Sequence, residues 1–261
     1  MTPSLAERAR ALDPWWFQFE ADGETFGGEV PRDTSRTATF FEWVEKLQLP
    51  VRTILELGSH EGNHTLQLAS HPGVEKVVGL EGRSDNIARA NFVKAAFDLP
   101  SIEFHEHNLE HFDPADWPRF DAVFCSGLLY HLPNPWELLP KIARLARHCV
   151  LVDTLYSEWP RDLVERTAGQ WCNEPTGALA GFSERSFLLS FKSIAMLMME
   201  HGLVVHHVTD YGQPRGKHHR ILIFAEKTEA VRWKHWRSKA QSTTKETPEE
   251  GGDNAAKRAL K

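Results

Sequence analysis

From Val51 onward the chain alternates short apolar, β-branched runs with stretches of helical period. RTILELG, KVVGLE, SIEFHEHN, DAVFCSG and CVLVDT read as strands. Between them lie a helix that starts after Gly62 and ends near His71-Pro72-Gly73, SDNIARANFVKAAF before Leu99-Pro100, and a helix from Pro135 through WELLPKIARLA. Strands that are apolar throughout and separated by helices predict a parallel sheet covered on both faces. The end of the chain breaks that rhythm. LVVHHVTDY and RILIFAEK are joined by the loop GQPRGKHH with no helix between them, so this last pair must be antiparallel.

Outside the alternation, Leu12 to Pro50 is rich in aromatic residues, and TATFFEWVEKLQLP sets Phe40, Phe41, Val44 and Leu47 on one helical face with Pro50 as a stop. Residues 1–50 are therefore expected to form a cap on the core. Tyr156 to Phe182 reads as irregular and, with its continuation to about residue 190, as a lid-like insertion in a domain spanning 51–239. A helix through FLLSFKSIAMLMME closes at Gly202. Residues 240–261 are polar and read as a disordered tail.

Composition narrows the function. A chain of 261 residues with 41% hydrophobic content can bury a full core. The three cysteines, Cys125, Cys149 and Cys172, lack metal or redox spacing and read as thiols of a reducing compartment. With no apolar signal core at the start and no run of membrane-spanning length, a cytoplasmic location is expected, without a membrane partner. The net charge of −6 argues against a protein built chiefly to grip phosphate backbones. The basic, aromatic segment RWKHWRSK reads as a solvated helix or as a local basic patch.

The chemistry concentrates in ILELGSHEGNHTLQLA, a buried strand, a glycine turn and a helix start. Gly58 and Gly62 allow positive φ and close ligand approach, and the free N–H groups of the helix that follows carry partial positive charge. Glu56 beside them can meet an ammonium group. Donors for a carboxylate next to an acceptor for an amine suit an amino-acid-like ligand. Glu81, at the end of VVGLE, stands where an acidic side chain can accept both hydroxyls of a ribose. Gly82 and Arg83 flank that position, with Ser84 as cap of the next helix.

These residues resemble the acidic-x-Gly-x-x-x-Gly motif of the class I S-adenosylmethionine-dependent methyltransferases. The resemblance implies a Rossmann-like, mostly parallel sheet of seven strands with an antiparallel C-terminal hairpin, and S-adenosyl-L-methionine as cofactor. It places Glu56, Gly58, Ser59, His60 and Gly62 at the amino-acid end, Glu81, Gly82 and Arg83 at the sugar, Asn108 and Leu109 at the adenine, and Ser126 and Gly127 under the methionine part. Asn108 is equally a turn former. The segment CSGLLYHLPNPWELL looks like that of methyltransferases related to the tRNA wobble-uridine carboxymethyltransferase, as do DPWWFQFEADGETFGG and SERSFLLSFKSIAMLM. It directs Tyr130 and His131 toward the transferable methyl. His131 is the candidate base, since imidazole titrates near neutral pH, or a hydrogen-bonding partner of the cofactor. Tyr130, Trp15 or Trp16 could face a sulfonium, and the tryptophans could equally be packing.

Other readings are weaker. His105, His107 and His111, with His206, His207, His218 and His219, lack metal-ligand spacing, so no metal is expected. Arg215, Lys217 and His218 could face an anionic substrate or water. A nicotinamide enzyme needs a GxGxxG turn that is missing here. The expected acceptor is an oxygen or nitrogen of a small molecule. An RNA substrate, with or without a carboxylated cofactor, and a non-catalytic cofactor-binding module are the alternatives.

Overall fold

A computed structural model describes residues 3–174, 177, 180–213 and 218–228. The elements in chain order are α1 (Leu5–Arg10), β1 (Gln18–Ala21), β2 (Glu24–Gly27), α2 (Ser35–Lys46), β3 (Thr53–Leu57), α3 (Asn63–Ala69), β4 (Lys76–Glu81), α4 (Ser84–Ala96), β5 (Ile102–Glu106) and β6 (Phe120–Ser126). They continue with α5 (Pro135–Leu145), β7 (Ala146–Tyr156), β8 (Asp162–Val164), β9 (Thr167–Asn173), β10 (Arg185–Leu189), α6 (Phe191–Glu200), β11 (Leu203–Asp210) and β12 (His219–Lys227).

Seven strands form the main sheet in the order β11-β12-β7-β6-β3-β4-β5. The five strands β3 to β7 pair in parallel, and β12 runs antiparallel to both β7 and β11. This is the α/β, Rossmann-like sheet with a terminal antiparallel hairpin that the apolar alternation predicts. Strand order reverses beside β3, so the carboxyl ends of β3, β4 and β6 open onto one crevice. The strands bury both faces: Leu55, Leu57, Val123 and Val150 pack in one cluster, Ile54, Ala122, Phe124 and Leu151 in the other. Helix α2 delivers Phe40, Phe41 and Val44 to the second cluster, while Leu47 stays partly buried at its edge.

Three local expectations are corrected. The segment after β7 is largely regular, since β8, β9 and β10 form an antiparallel three-stranded sheet. Its alternation escapes notice because Gly169 and the turn at Glu165 and Arg166, both at positive φ, interrupt short strands. Phe187, Leu188 and Leu189 belong to β10 and not to the following helix, which starts at Phe191. Ser190 caps that helix, its side chain accepting the Ser193 N–H at 3.2 Å. The apolar run hid this boundary, as serine sits inside it. Ser84 is the first helical residue of α4 and not its cap, a position that falls to Arg83. The first fifty residues also hold the β1–β2 hairpin, whose Phe19 and Phe26 stack at 5.6 Å. The tail from residue 240, the segment RWKHWRSK, Arg215 and Lys217 lie outside the described residues.

Candidate active site

At the carboxyl end of β3 the chain turns sharply. Gly58 and Gly62 take φ of +77° and +84°, and His60 between them also sits at positive φ, +50°. A Cβ on Gly58 would meet only Leu128 at 3.5 Å, so the backbone here is open to close approach. The turn is braced from below. Glu56, 1% exposed, accepts a short hydrogen bond from the Thr65 hydroxyl and lies 3.6 Å from His64 Nδ1. Its carboxylate is committed to α3 and does not line the cavity above.

Glu61 lies inside the same turn and carried no expectation. Its buried carboxylate accepts the backbone N–H groups of Trp16 at 2.7 Å and Phe17 at 2.9 Å, tying the N-terminal segment to the glycine turn. Burial raises its pKa, and these two N–H groups oppose the rise. The Phe17 ring meets His60 edge-on at 5.9 Å. His60 is pushed down to about 4 by burial and by the neighbouring Arg89, Arg83 and His64, so it is neutral at neutral pH.

Glu81 ends β4 within the crevice. One carboxylate oxygen accepts the His60 N–H at 3.0 Å, the other the Arg83 N–H at 3.0 Å and the Asn86 side chain at 3.2 Å. Burial raises its pKa against those three donors. The Arg83 guanidinium reaches over the crevice, donating to the carbonyls of Ala180 at 2.7 Å and Gly181 at 3.3 Å, and covers the Phe182 ring at 4.7 Å. Glu110 holds the same strap from the other side, accepting the N–H groups of Phe182 and Ser183 and the Ser183 hydroxyl at 2.7–3.0 Å.

Together these pieces enclose a cavity of about 530 Å³, a volume typical of small-molecule sites. Gly58, Ser59, His60, Glu81, Gly82, Arg83, Asn108, Leu109, Ser126, Gly127, Tyr130 and His131 all line it, and Glu56 and Gly62 do not. Trp16 lines it, whereas Trp15 packs against Phe19, Phe26 and Phe92. Asn108 caps the short turn that follows, accepting the Glu110 N–H at 3.0 Å.

Elsewhere the cavity wall is charged. Asp153, fully buried within β7, accepts from Arg220 Nε at 2.9 Å and Nη2 at 2.5 Å, from Arg36 Nε at 2.7 Å and from the Ser126 hydroxyl at 2.8 Å. Burial alone would raise its pKa, but the two guanidiniums hold it below the carboxylate range and push Arg220 up. No local pattern marks this cluster, because Arg36, Asp153 and Arg220 lie far apart along the chain. His131 Nδ1 meets the Glu174 carboxylate in a short hydrogen bond, and its ring lies 4.1 Å from that of Tyr130.

The fold is that of a Rossmann-like α/β domain with a cavity at the carboxyl ends of its parallel strands, and comparison with known proteins specifies its class. Residues 54–148 match the family model of a methyltransferase domain. The N-terminal domain of EvdMO1, whose crystal structure was obtained in the presence of SAH and D-fucose, superposes with a TM-score of 0.72 and 29% identity, covering 85% of this chain and 94% of that one. Magnesium protoporphyrin IX methyltransferase (ChlM) from Synechocystis PCC 6803, solved with bound SAM, shares the fold at a TM-score of 0.53 and 14% identity, over 75% of this chain and 79% of its own. By sequence, the tRNA U34 carboxymethyltransferase of Helicobacter pylori (strain G27) is 24% identical over 210 residues, 74% of this chain and 77% of that protein. The chain is a class I S-adenosylmethionine-dependent methyltransferase, with distant homology to the tRNA U34 carboxymethyltransferases.

The residues present fit that cofactor. Ser59 Oγ, His60 Nδ1 and Asn63 Nδ2 are buried without a hydrogen-bond partner among the described residues, and all three residues line the cavity. Among the described residues no group of three or more His, Cys, Asp or Glu is placed to hold a metal, and no helix is long and apolar enough to cross a membrane.

Proposed function

We propose that this enzyme transfers the methyl group to an oxygen or nitrogen of a small-molecule acceptor. The observation that carries the reading is the aromatic and imidazole lining that converges at the end expected to hold the acceptor. Trp16 from the N-terminal segment, His131 and Tyr130 after β6, and the strap at Gly181 and Phe182 all wall one cavity. A pocket of this size holds one small molecule, and orientation of that kind supplies as much as about 7–11 kcal/mol of barrier reduction. Bound along Gly58, Glu81 and Asn108, S-adenosylmethionine would supply an electrophilic methyl on a sulfonium. Glu81 would hold the ribose, Ser59 and Asn63 the polar groups of the amino-acid end, and Leu109 the adenine face. His131 and Tyr130 would orient the acceptor. The relative solved with D-fucose and the net charge of −6 support a small acceptor over a polynucleotide.

A second reading rests on a specific feature, the two guanidiniums of Arg36 and Arg220 that line the cavity around Asp153. They are what a carboxylated cofactor would meet, and the tRNA U34 carboxymethyltransferases give that reading a family context. One experiment separates the two. The protein is incubated with methyl-labelled S-adenosylmethionine and, in parallel, its carboxylated form, against pooled hydroxy and amino compounds and against unmodified tRNA. Label on a small molecule from the methyl donor supports the proposal; label in tRNA overturns it.

A further inference from the structure

The geometry points to Glu174 as the residue that fixes His131 as a proton acceptor, and so to a hydroxyl as the acceptor group. This rests on the small-molecule reading of the same cavity. Glu174 follows β9, on the inserted three-stranded sheet, yet its side chain is only 5% exposed and one oxygen meets His131 Nδ1. The same oxygen accepts the Gly181 N–H at 2.9 Å. Burial opposes the negative charge, but the His131 and Gly181 partners outweigh it and keep the Glu174 carboxyl below its ordinary range.

A carboxylate accepts only, so Nδ1 must carry the proton, and Nε2 is left with its lone pair. Which ring nitrogen is protonated is set by the partner of the other. The main chain that carries the ring is held on both sides: the His131 N–H donates to the Leu128 carbonyl at 2.9 Å, and the Phe187 N–H of β10 donates to the Leu132 carbonyl at 2.9 Å. His131 lines the cavity. A Cβ on residue 181 would stand 2.3 Å from the His131 carbonyl, so only glycine lets the strap lie this close.

An amine can attack the methyl in its neutral form with its lone pair and shed a proton afterwards, whereas an alcohol is a poor nucleophile until its proton is leaving. A base with its tautomer fixed in advance is therefore of most use to a hydroxyl. The hydroxyl oxygen forms the new bond to the methyl carbon, the carbon–sulfur bond breaks with its electron pair going to sulfur, and the hydroxyl proton passes to Nε2. The resulting imidazolium is stabilised by the Glu174 carboxylate. Glu174 acts through His131 and is a positioning residue.

The test is nitrogen NMR of ¹⁵N-histidine-labelled protein saturated with S-adenosylhomocysteine, which reads the protonated ring nitrogen directly. His131 is expected as the Nδ1–H tautomer in the wild type, and E174A is expected to transfer most of that proton to Nε2. E174D, which keeps the charge on a shorter arm, should fall between the two and serves if E174A does not fold. An unchanged tautomer in either variant overturns the role of Glu174. In the acceptor screen above, a methyl found on oxygen supports the hydroxyl assignment and a methyl found on nitrogen overturns it. Label in tRNA would remove the small-molecule reading without touching the tautomer result, so the two fail separately.

Discussion

The two ends of the cavity are built in opposite ways. At the end expected to hold the cofactor, the bonds to the carboxylate are local: Glu81 is held by Arg83 two residues on, by Asn86 five residues on and by His60 twenty-one residues back. At the acceptor end they span the chain: Arg36 reaches Asp153 across 117 positions, Arg220 reaches it across 67, and His131 meets Glu174 across 43. A strand–turn–helix can be specified by a dozen residues and repeated, so the cofactor end keeps a recognisable form. The acceptor end is assembled from segments that can each change without disturbing the turn, which is how one fold accommodates different acceptors.

The sharpest break of that contrast is at His131. H131A is expected to lower kcat by about 10²- to 10⁴-fold, the usual contribution of a positioned base. S-adenosylhomocysteine affinity by calorimetry should stay at the wild-type value, since the cofactor end keeps its own local bonds. A large loss of affinity would show that the two ends are not separable.

Asp153 tests the same point through stability. D153A leaves two guanidiniums around a buried site without their shared carboxylate, although Arg36 keeps Asp33 at 2.5 Å. Removing one partner of a buried ion pair costs about 3–5 kcal/mol, which corresponds to a fall in Tm of about 10 °C in a domain of this size. The sign with pH follows from the depressed pKa of Asp153. Its contribution is present above the unfolded value of 3.8 and is lost as pH falls through the lower folded value, so the melting difference between wild type and D153A should narrow only in strong acid.

The same contrast explains what could be read from the sequence. The sheet was legible because period and turn chemistry are local: five apolar runs, each closed by Gly, Pro or an acidic residue, leave little choice of architecture. Gly58, Glu81 and Tyr130-His131 could be singled out as cavity residues because each ends or closely follows such a run, and all of them line the cavity. Glu61 was not, although it lies in the same turn, because its role depends on Trp16 and Phe17 crossing over it. Asp153 looked like the polar end of a strand, and Glu174 like part of an irregular loop. Their meaning comes from partners that only the folded chain brings near.

Glu81 probes the cofactor end. On the proposed placement of the ribose, E81A removes its acceptor, and charge-assisted hydrogen bonds are worth about 1.5–3 kcal/mol, so S-adenosylhomocysteine should bind about ten- to a hundredfold more weakly while the fold persists. The raised pKa gives a second reading. As pH falls toward the ordinary glutamate value of 4.5, the folded protein takes up its proton before the unfolded chain does. Stability of the ligand-free protein from this group is therefore greatest below that value and is lost as pH rises through the folded pKa. Cofactor affinity should move the other way, falling with acid in the same interval, and E81A should abolish both slopes.

The smallest expected effect lies where the strap meets the cofactor end. Phe182 is half-exposed, and its ring sits 4.7 Å below the Arg83 guanidinium, directly over Gly82. An exposed cation–π contact is worth about 0.5–1 kcal/mol, so F182A should weaken S-adenosylhomocysteine binding by about two- to fivefold and leave turnover of the saturated enzyme unchanged. G82A offers an independent route to the same displacement, because the added Cβ would stand 2.5 Å from the Phe182 ring, and the ring, at the end of a side chain, can swing away. The two variants should weaken binding alike, and the double variant should be no worse than either, since both remove one contact. If F182A instead lowered kcat, the strap would act on His131 through Gly181 and Glu174, and the division between the two ends would have to be drawn on the far side of the strap.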